Sequence, residues 1–457
     1  METTSARPVV VEPGGTGVVA HVGLHALCSF ADRLRFGDAL SSAIPIGERS
    51  PLHDRGKVLV QQMAAIAGGG ESCADIEIEY LRQEETLFGF VPSDSTVWRC
   101  FHEITPTTRS ALKSALATVR EKVWSRSGAT TGTDPVVLDV DASLVEIHSE
   151  GKEGTGPTYK GGFGFHPLLL FADQTGEALS GMLRPGNAGA NTVADHLQVT
   201  DEAIAQLPGE VAAGHHEGDD RSLVRREVVM RADSAGCTED FLGGLRTRNI
   251  GFSVVCRKNA QVYAAILDAI GMEECWAPAV RQDGELADGA AVIELTSLVD
   301  LSNYPSGTRL IVRREPLHPG AQQSLFPSLE FRYWGFYTDQ AADPVALDAF
   351  MRAHAHVEEH ISRLKDSGLL RFPFSLLEAN KNWLFCVLAA ADLVRWFQLL
   401  CTEADLALAR PKALRWSVFH APGRVVRSAR RVVVRLLDGW PTSGALLSAY
   451  RRIALLT

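Results

Sequence analysis

Three acidic residues stand far apart in the chain, each in a setting that suits chemical use. Asp141 lies in the apolar run Val136-Val-Leu-Asp-Val-Asp-Ala-Ser-Leu-Val-Glu-Ile147, and Asp233 closes a second run, Val228-Val-Met-Arg-Ala-Asp-Ser234. Glu358 follows in Ala355-His-Val-Glu-Glu-His-Ile-Ser-Arg-Leu-Lys365, which has helical spacing. Carboxylate oxygens suit hard divalent cations such as Mg2+. Two such ions can clamp the attacking and the leaving oxygen of a phosphodiester.

Each candidate also has a plainer use. Residues i and i+2 of a strand share a face, so Asp139 and Asp141 point the same way. Burying two carboxylates together is costly unless something pairs with them. Asp141 is the expected ligand because it lies nearer the strand end, where a site can open; Asp139 is the alternate. Asp233 precedes Ser-Ala-Gly, and an Asp there often just caps the next helix. Glu358 and Lys365 are about two helical turns apart and share a face, which lets Lys365 meet a phosphate. Glu359 points about 100° away and is expected to face solvent or an ion-pair partner. His354, His356 and His360 are poorly spaced for zinc, so phosphate contact or exposure is expected. His215-His-Glu-Gly-Asp-Asp220 lacks the helical HExxH spacing and reads as a solvated loop. Arg184-Pro-Gly-Asn187 reads as a tight turn whose arginine is placed to touch a phosphate backbone.

The surrounding elements must bring these residues together. Residues 22–130 look mainly helical. Leu59 to Ala67 has helical spacing and stops at Gly68-Gly-Gly70, and Ser93-Asp-Ser-Thr-Val-Trp opens a further helix with good N-cap residues. Such a pair can form a helix-turn-helix-like reader, or can simply pack together. After the linker 128–135 come β-like runs at 136–147, 158–171 and 177–184. A helix over 192–207, a strand over 227–232, a helix over 240–248 and a strand over 252–256 follow. Three strands, helix, strand, helix, strand is the order of an RNase H-like mixed sheet with flanking helices, an α/β fold. Strand-like runs at 291–297, 308–313 and 329–337 form a β-rich insertion over 259–340. Helical patterning resumes at Pro344, and 376–400 reads as an apolar helix buried against the sheet. The expected division is therefore a helical N-terminal region (1–130), a core (131–258 and 341–405) interrupted by the insertion, and a basic helical C-terminal region (406–457).

Composition sets the outer bounds. The chain has 457 residues, 46% hydrophobic and 22% charged, which is ordinary for a globular protein with an ample core. No apolar run of about 18 residues suggests a membrane span, and eight scattered cysteines without CxxC spacing suggest reduced thiols in a cytoplasmic protein. A net charge of -10 argues weakly against a polyanionic partner. Locally, however, Leu406 to Leu437 has no acidic residue and carries Arg424, Arg427, Arg430 and Arg431 among its basic residues. This tract is either a solvated helix face or a surface that tracks phosphates. A carboxylate pair also serves glycosidases, but those need an aromatic-lined sugar site, and aromatics are only 7% here.

Taken in order, Leu138-Asp-Val-Asp-Ala-Ser143, Leu183-Arg-Pro-Gly-Asn187, Arg231-Ala-Asp-Ser234 and Val357-Glu-Glu-His-Ile-Ser-Arg-Leu-Lys365 resemble the DDE transposases of bacterial insertion sequences. Within them the likeness is to the RNase H-like cut-and-paste group with a β-strand insertion before the glutamate. The last motif resembles that group's tyrosine–arginine–glutamate–lysine signature. Glu358 and Lys365 match it, whereas Met351 stands at the tyrosine position and His354 at the arginine position. Residues 54–102 look like the group's N-terminal DNA-binding region, and the resemblance spans roughly 20–450.

The resemblance implies a catalytic, metal-binding triad of Asp141, Asp233 and Glu358 with two Mg2+ ions, Mn2+ substituting. It implies DNA contacts from Lys365, Arg184, His354, Arg424, Arg427, Arg430 and Arg431. The implied partners are double-stranded DNA, namely the element's terminal inverted repeats and a target, and a second copy in a homodimeric synaptic complex near the nucleoid. Two other readings remain at this point: an inactive or domesticated sequence-specific DNA-binding protein, and an RNase H-like nuclease without strand transfer.

Overall fold

The run Val136–Ala142 forms β1, which is buried on both faces along most of its length, as a β-branched run in a central strand should be. The computed structural model describes residues 15–456 except 46–51, 77–84, 90, 150, 318–330, 404 and 429–430. The other sheet strands are β2 (Leu168–Ala172), β3 (Glu177–Met182), β4 (Val228–Ala232), β5 (Gly251–Val255), β6 (Ala277–Val280), β7 (Leu286–Glu294), β8 (Arg309–Pro316) and β9 (Phe331–Thr338). Their order across the sheet is β6-β7-β8-β9-β5-β4-β1-β2-β3. β1, β2 and β3 form an antiparallel meander, while β1, β4 and β5 run parallel. This β3-β2-β1-β4-β5 half has the RNase H-like order. The 259–340 segment adds to the same sheet, because β9 pairs antiparallel with β5 and β8, β7 and β6 follow outward.

Helices cover both faces. α1 (Val22–Arg33), α2 (Phe36–Ala43), α3 (Arg55–Gly68), α4 (Asp94–Glu103) and α5 (Pro106–Ser127) precede the sheet. α6 (Val193–Ile204), α7 (Glu239–Arg246) and α8 (Ala260–Ile270) pack on the face that presents Leu138, Val140, Met230 and Phe252. On the other face lie α9 (Pro344–Arg352), α10 (His356–Leu364) and α11 (Leu377–Cys401). The boundaries follow local chemistry. Ser93, Thr105, Thr238, Asn259 and Asp343 each cap a helix by accepting a backbone N–H. Pro106 and Pro344 occupy first-turn positions, where no N–H is needed.

Two expectations about the flanking regions need correction. The N-terminal helices are not a separate module: Leu27, Phe30, Met63 and Ile66 share one apolar cluster with Trp383, Trp396 and Phe397 of α11 and with Leu446 and Ile453 of the terminal helix α12 (Ser443–Leu455). α3 is buried over most of its length, so it is a core helix, while α4 leaves Trp98 half exposed and stacked 3.7 Å from His102. The basic C-terminal tract is helical at Asp405–Leu408, Pro411–Leu414 and Arg415–Phe419, but the part that carries Arg424, Arg427 and Arg431 is a β-ribbon, β10 (Gly423–Ser428) with β11 (Arg431–Leu436), joined on its other side to Val18–Val19. The Val-rich composition of both arms explains this better than the helical reading.

α11 is long and apolar enough by composition to cross a membrane. It is instead the central helix of the core, and Asn382, Gln398 and Asp392 find their partners inside the protein. Asn382 donates to the carbonyls of Phe101 and Ile104, and Gln398 to those of Leu406 and Ala409. Asp392 accepts from the Ala178 N–H and pairs with Arg120. All eight cysteines are free thiols.

Candidate active site

The parallel register sets the site. Asp139 lies opposite Arg231 and Val140 opposite Ala232, so Asp141 and Asp233 follow side by side at the ends of β1 and β4. By strand parity both point to the face covered by α9 and α10. Asp141 accepts the Ala142 N–H (2.7 Å) and Asp233 the Ala235 N–H (2.8 Å), so each carboxylate is oriented by its own turn. Both are half-buried. Glu358, exposed in the first turn of α10, completes the neighbourhood.

The charges of Asp233 and Glu358 both act on the Asp141 carboxylate. Burial pushes the Asp141 carboxyl up to about 6; the Ala142 N–H and His354 oppose the shift, and the charges of Asp233 and Glu358 add to it. Among the described residues, no three acidic, His or Cys side chains stand ready as a closed metal-binding group. Asp141, Asp233 and Glu358 are thus not gathered into a preformed coordination shell. Carboxylate oxygens suit a hard divalent ion.

Asp139 points to the same face but is already engaged. Arg231 donates to both of its oxygens (Nε 2.9 Å, Nη2 2.6 Å), and His354 Nδ1 lies 2.7 Å from Oδ1. Both members of the Asp139–Arg231 pair are almost wholly buried. Arg231 also bonds the Phe350 carbonyl (2.9 Å) and reaches Asp173, just beyond β2, at 2.8 Å. His356 Nδ1 lies 3.0 Å from Asp173, and His360 Nε2 stands 3.7 Å from the same oxygen. Burial opposes the ionised form of Asp173, but the imidazoles of His360 and His356 and the Arg231 guanidinium hold it well below the usual carboxylate range.

The other expected residues divide into exposed and committed groups. Lys365 is half-buried at the start of a π-turn that follows α10. Glu359 pairs with Arg363, as expected. Arg184 differs from expectation. It is 3% exposed and donates to the carbonyls of His166 and Gly189 and to Asp195, so it braces the turn and has no open path to a phosphate. His354 likewise faces Asp139 and not solvent. His215, expected in a solvated loop, is buried between the carbonyls of Arg248 and Arg226, while His216 to Gly218 are exposed. On the ribbon, cross-strand pairing puts Arg424, Arg431 and Arg435 on one exposed face. Arg427 is on the other, where it donates to Thr86. Arg430 lies outside the described residues.

Sequence reasoning missed Arg231 and Asp173. A signal for Arg231 was present: an arginine two positions before Asp233 in an otherwise apolar strand shares its face and needs a buried counter-charge.

An acidic cluster at the parallel strand ends of an RNase H-like sheet defines a class of phosphodiester-processing enzymes. The chain matches, over residues 1–457, the family described as Transposase DDE domain group 1. It belongs to that family, and it is a DNA transposase, an enzyme of DNA cleavage and strand transfer whose chemistry uses divalent metal ions. No curated protein matches it. Among solved structures it is similar to a piggyBac transposase synaptic complex with hairpin DNA, seen by cryo-EM, at 12% identity and a TM-score of 0.39, over 86% of this chain and 80% of that one.

Proposed function

We propose that Asp141, Asp233 and Glu358 are the catalytic triad and hold two Mg2+ ions, with Mn2+ able to substitute. The observation that carries this reading is the side-by-side placement of Asp141 and Asp233 at the ends of β1 and β4, with the charge of Glu358 on α10 acting on Asp141. Asp139 is set aside because Arg231 and His354 occupy both of its oxygens. Bound there, the ions supply charge stabilisation to the attacking and leaving oxygens of a phosphodiester. The Ala142 and Ala235 N–H groups keep the two aspartates oriented, and Lys365 contacts the phosphates of the reacting strand.

In this reading the substrates are the terminal inverted repeats of a bacterial insertion sequence and a target duplex, joined by a cut-and-paste route. Arg424 and Arg431 bind the DNA backbone through the exposed face of the ribbon, and Arg427 and Arg430 add to that contact. Two copies hold two ends in a homodimeric synaptic complex, in the cytoplasm at the nucleoid. The test uses a duplex containing the inverted repeats that flank the coding region, with Mg2+ and a supercoiled target. End-specific nicking and joining, both lost in Asp141→Asn, is the expected result. Binding without nicking would identify an inactive DNA-binding relative, and nicking without joining a nuclease.

A further inference from the structure

We propose that Arg231, Asp139 and His354 form a positioning clasp that withdraws one carboxylate from the reacting cluster and sets the height of Glu358 above the strand ends. The inference rests on the reading of Asp141, Asp233 and Glu358 as ion ligands.

Asp139 and Arg231 are directly opposed on parallel strands, so the pair ties β1 to β4 one step below Asp141 and Asp233. The same guanidinium bonds the Phe350 carbonyl and stacks 5.1 Å from the Phe350 ring, which fixes α9. His354, in the turn between α9 and α10, then pins that turn to Asp139. Glu358 follows His354 by one helical turn, so the imidazole contact determines where α10 starts over the sheet. A buried ion pair contributes little net stability, because desolvation offsets the attraction. Such a pair is better explained by what it holds in place. Groups behind a metal site that orient its ligands typically contribute tenfold to a hundredfold in ion affinity.

Geometry also supplies the discriminating substitutions. An asparagine amide overlays the position of histidine Nδ1, whereas a glutamine amide overlays Nε2. His354→Asn therefore keeps a donor to Asp139 and His354→Gln loses it, with similar polarity. The full-length protein without DNA is titrated with Mn2+, and free ion is read from its electron paramagnetic resonance signal. The expected result is that His354→Gln weakens Mn2+ binding by about tenfold or more, while His354→Asn stays within about threefold of the parent. Melting temperatures are read in parallel, and a merely structural role would lower them in both variants without separating their ion affinities. Equal ion affinity in the two variants would overturn the clasp. So would a loss in Asp139→Asn as complete as that in Asp141→Asn, since Asp139 would then be a ligand. If Asp141→Asn binds Mn2+ like the parent, it is the ligand assignment that fails, independently of how the His354 variants rank.

Discussion

Asp141 and Asp233 each stand one residue beyond the last parallel pair, Val140 opposite Ala232. Their proximity is thus a property of backbone hydrogen bonding between β1 and β4 and does not depend on a ligand. Asp141→Asn, Asp233→Asn and Glu358→Gln change charge with little change in shape. Each is expected to lower end cleavage by about a thousandfold or more, an effect of the size seen when a reacting group is lost, with DNA affinity nearly unchanged. Single-turnover nicking and gel-shift measurements on the same preparations check this. Full cleavage in any one variant removes that residue from the triad.

On the proposed ligand assignment, proton and metal ion compete at Asp141. Its folded carboxyl titrates at about 6, above the ordinary 3.8. The folded state therefore holds that proton more tightly than the unfolded state does. Stability of the ion-free protein should fall as pH rises between those values, and the deficit should persist above them. Divalent ion affinity should rise over the same window and level off above about pH 6. Thermal stabilisation by Mn2+ at about pH 5 and about pH 7 tests this, and equal stabilisation at both would contradict it. The pH-linked loss should shrink in Asp141→Asn, leaving the part that belongs to other carboxyls held up by burial, such as Asp392.

Arg120 is fully buried between Glu177 and Asp392. Trp124 and Trp396 donate their indole N–H groups to the same Glu177 carboxylate. This network joins α5, β3 and α11. Burial and the neighbouring Glu177 charge push the Asp392 carboxyl up, against the opposing pull of Arg120. Arg120→Met leaves two carboxylates without their cation, and the expected cost is about 3–5 kcal/mol. Urea unfolding measures it; a cost below about 1 kcal/mol would show that the site relaxes or takes up protons instead.

The sidedness of the ribbon gives a graded expectation for DNA. Replacing Arg424, Arg431 and Arg435 together by Ala should weaken binding to all sequences and flatten the salt dependence by roughly one unit of slope per lost phosphate contact. Arg427→Ala, on the opposite face and bonded to Thr86, should do less. Affinity measured at several salt concentrations separates these outcomes. An unchanged slope in the triple variant would mean that the ribbon does not touch DNA.

The central strands and most helices were legible because their hydrophobic period is local. Val136 to Ala142, Val228 to Ala232 and the capped helices behind Ser93 and Asp343 declare themselves within a few residues. The ribbon was missed because its arginines were read as one helix face, although Val425-Val426 and Val432-Val-Val434 favour a strand. The Arg231–Asp139 pair was missed for a different reason. Its partners meet only through the parallel register, which no short window of sequence contains. The helical reading of 22–130 came from local spacing and caps, which say nothing of the long-range packing that joins these helices to α11 and α12. For the same reason, deletion of 1–130 would unfold more than it removes.

The four strands added beyond β5 lie in the chain between Asp233 and Glu358. Ribosomes release a chain from its N-terminus, so both aspartates emerge well before the glutamate that completes their set. A growing polypeptide thus has the sheet and two of the three proposed ligands, but not the third until α10 has been made, and α11 must still follow to bury the helix layer. On the proposed assignment, the nascent transposase cannot cleave DNA until α10 has been made. On the same assignment, a nonsense mutation anywhere upstream of α10 yields a fragment that lacks the third ligand and so does not cut DNA.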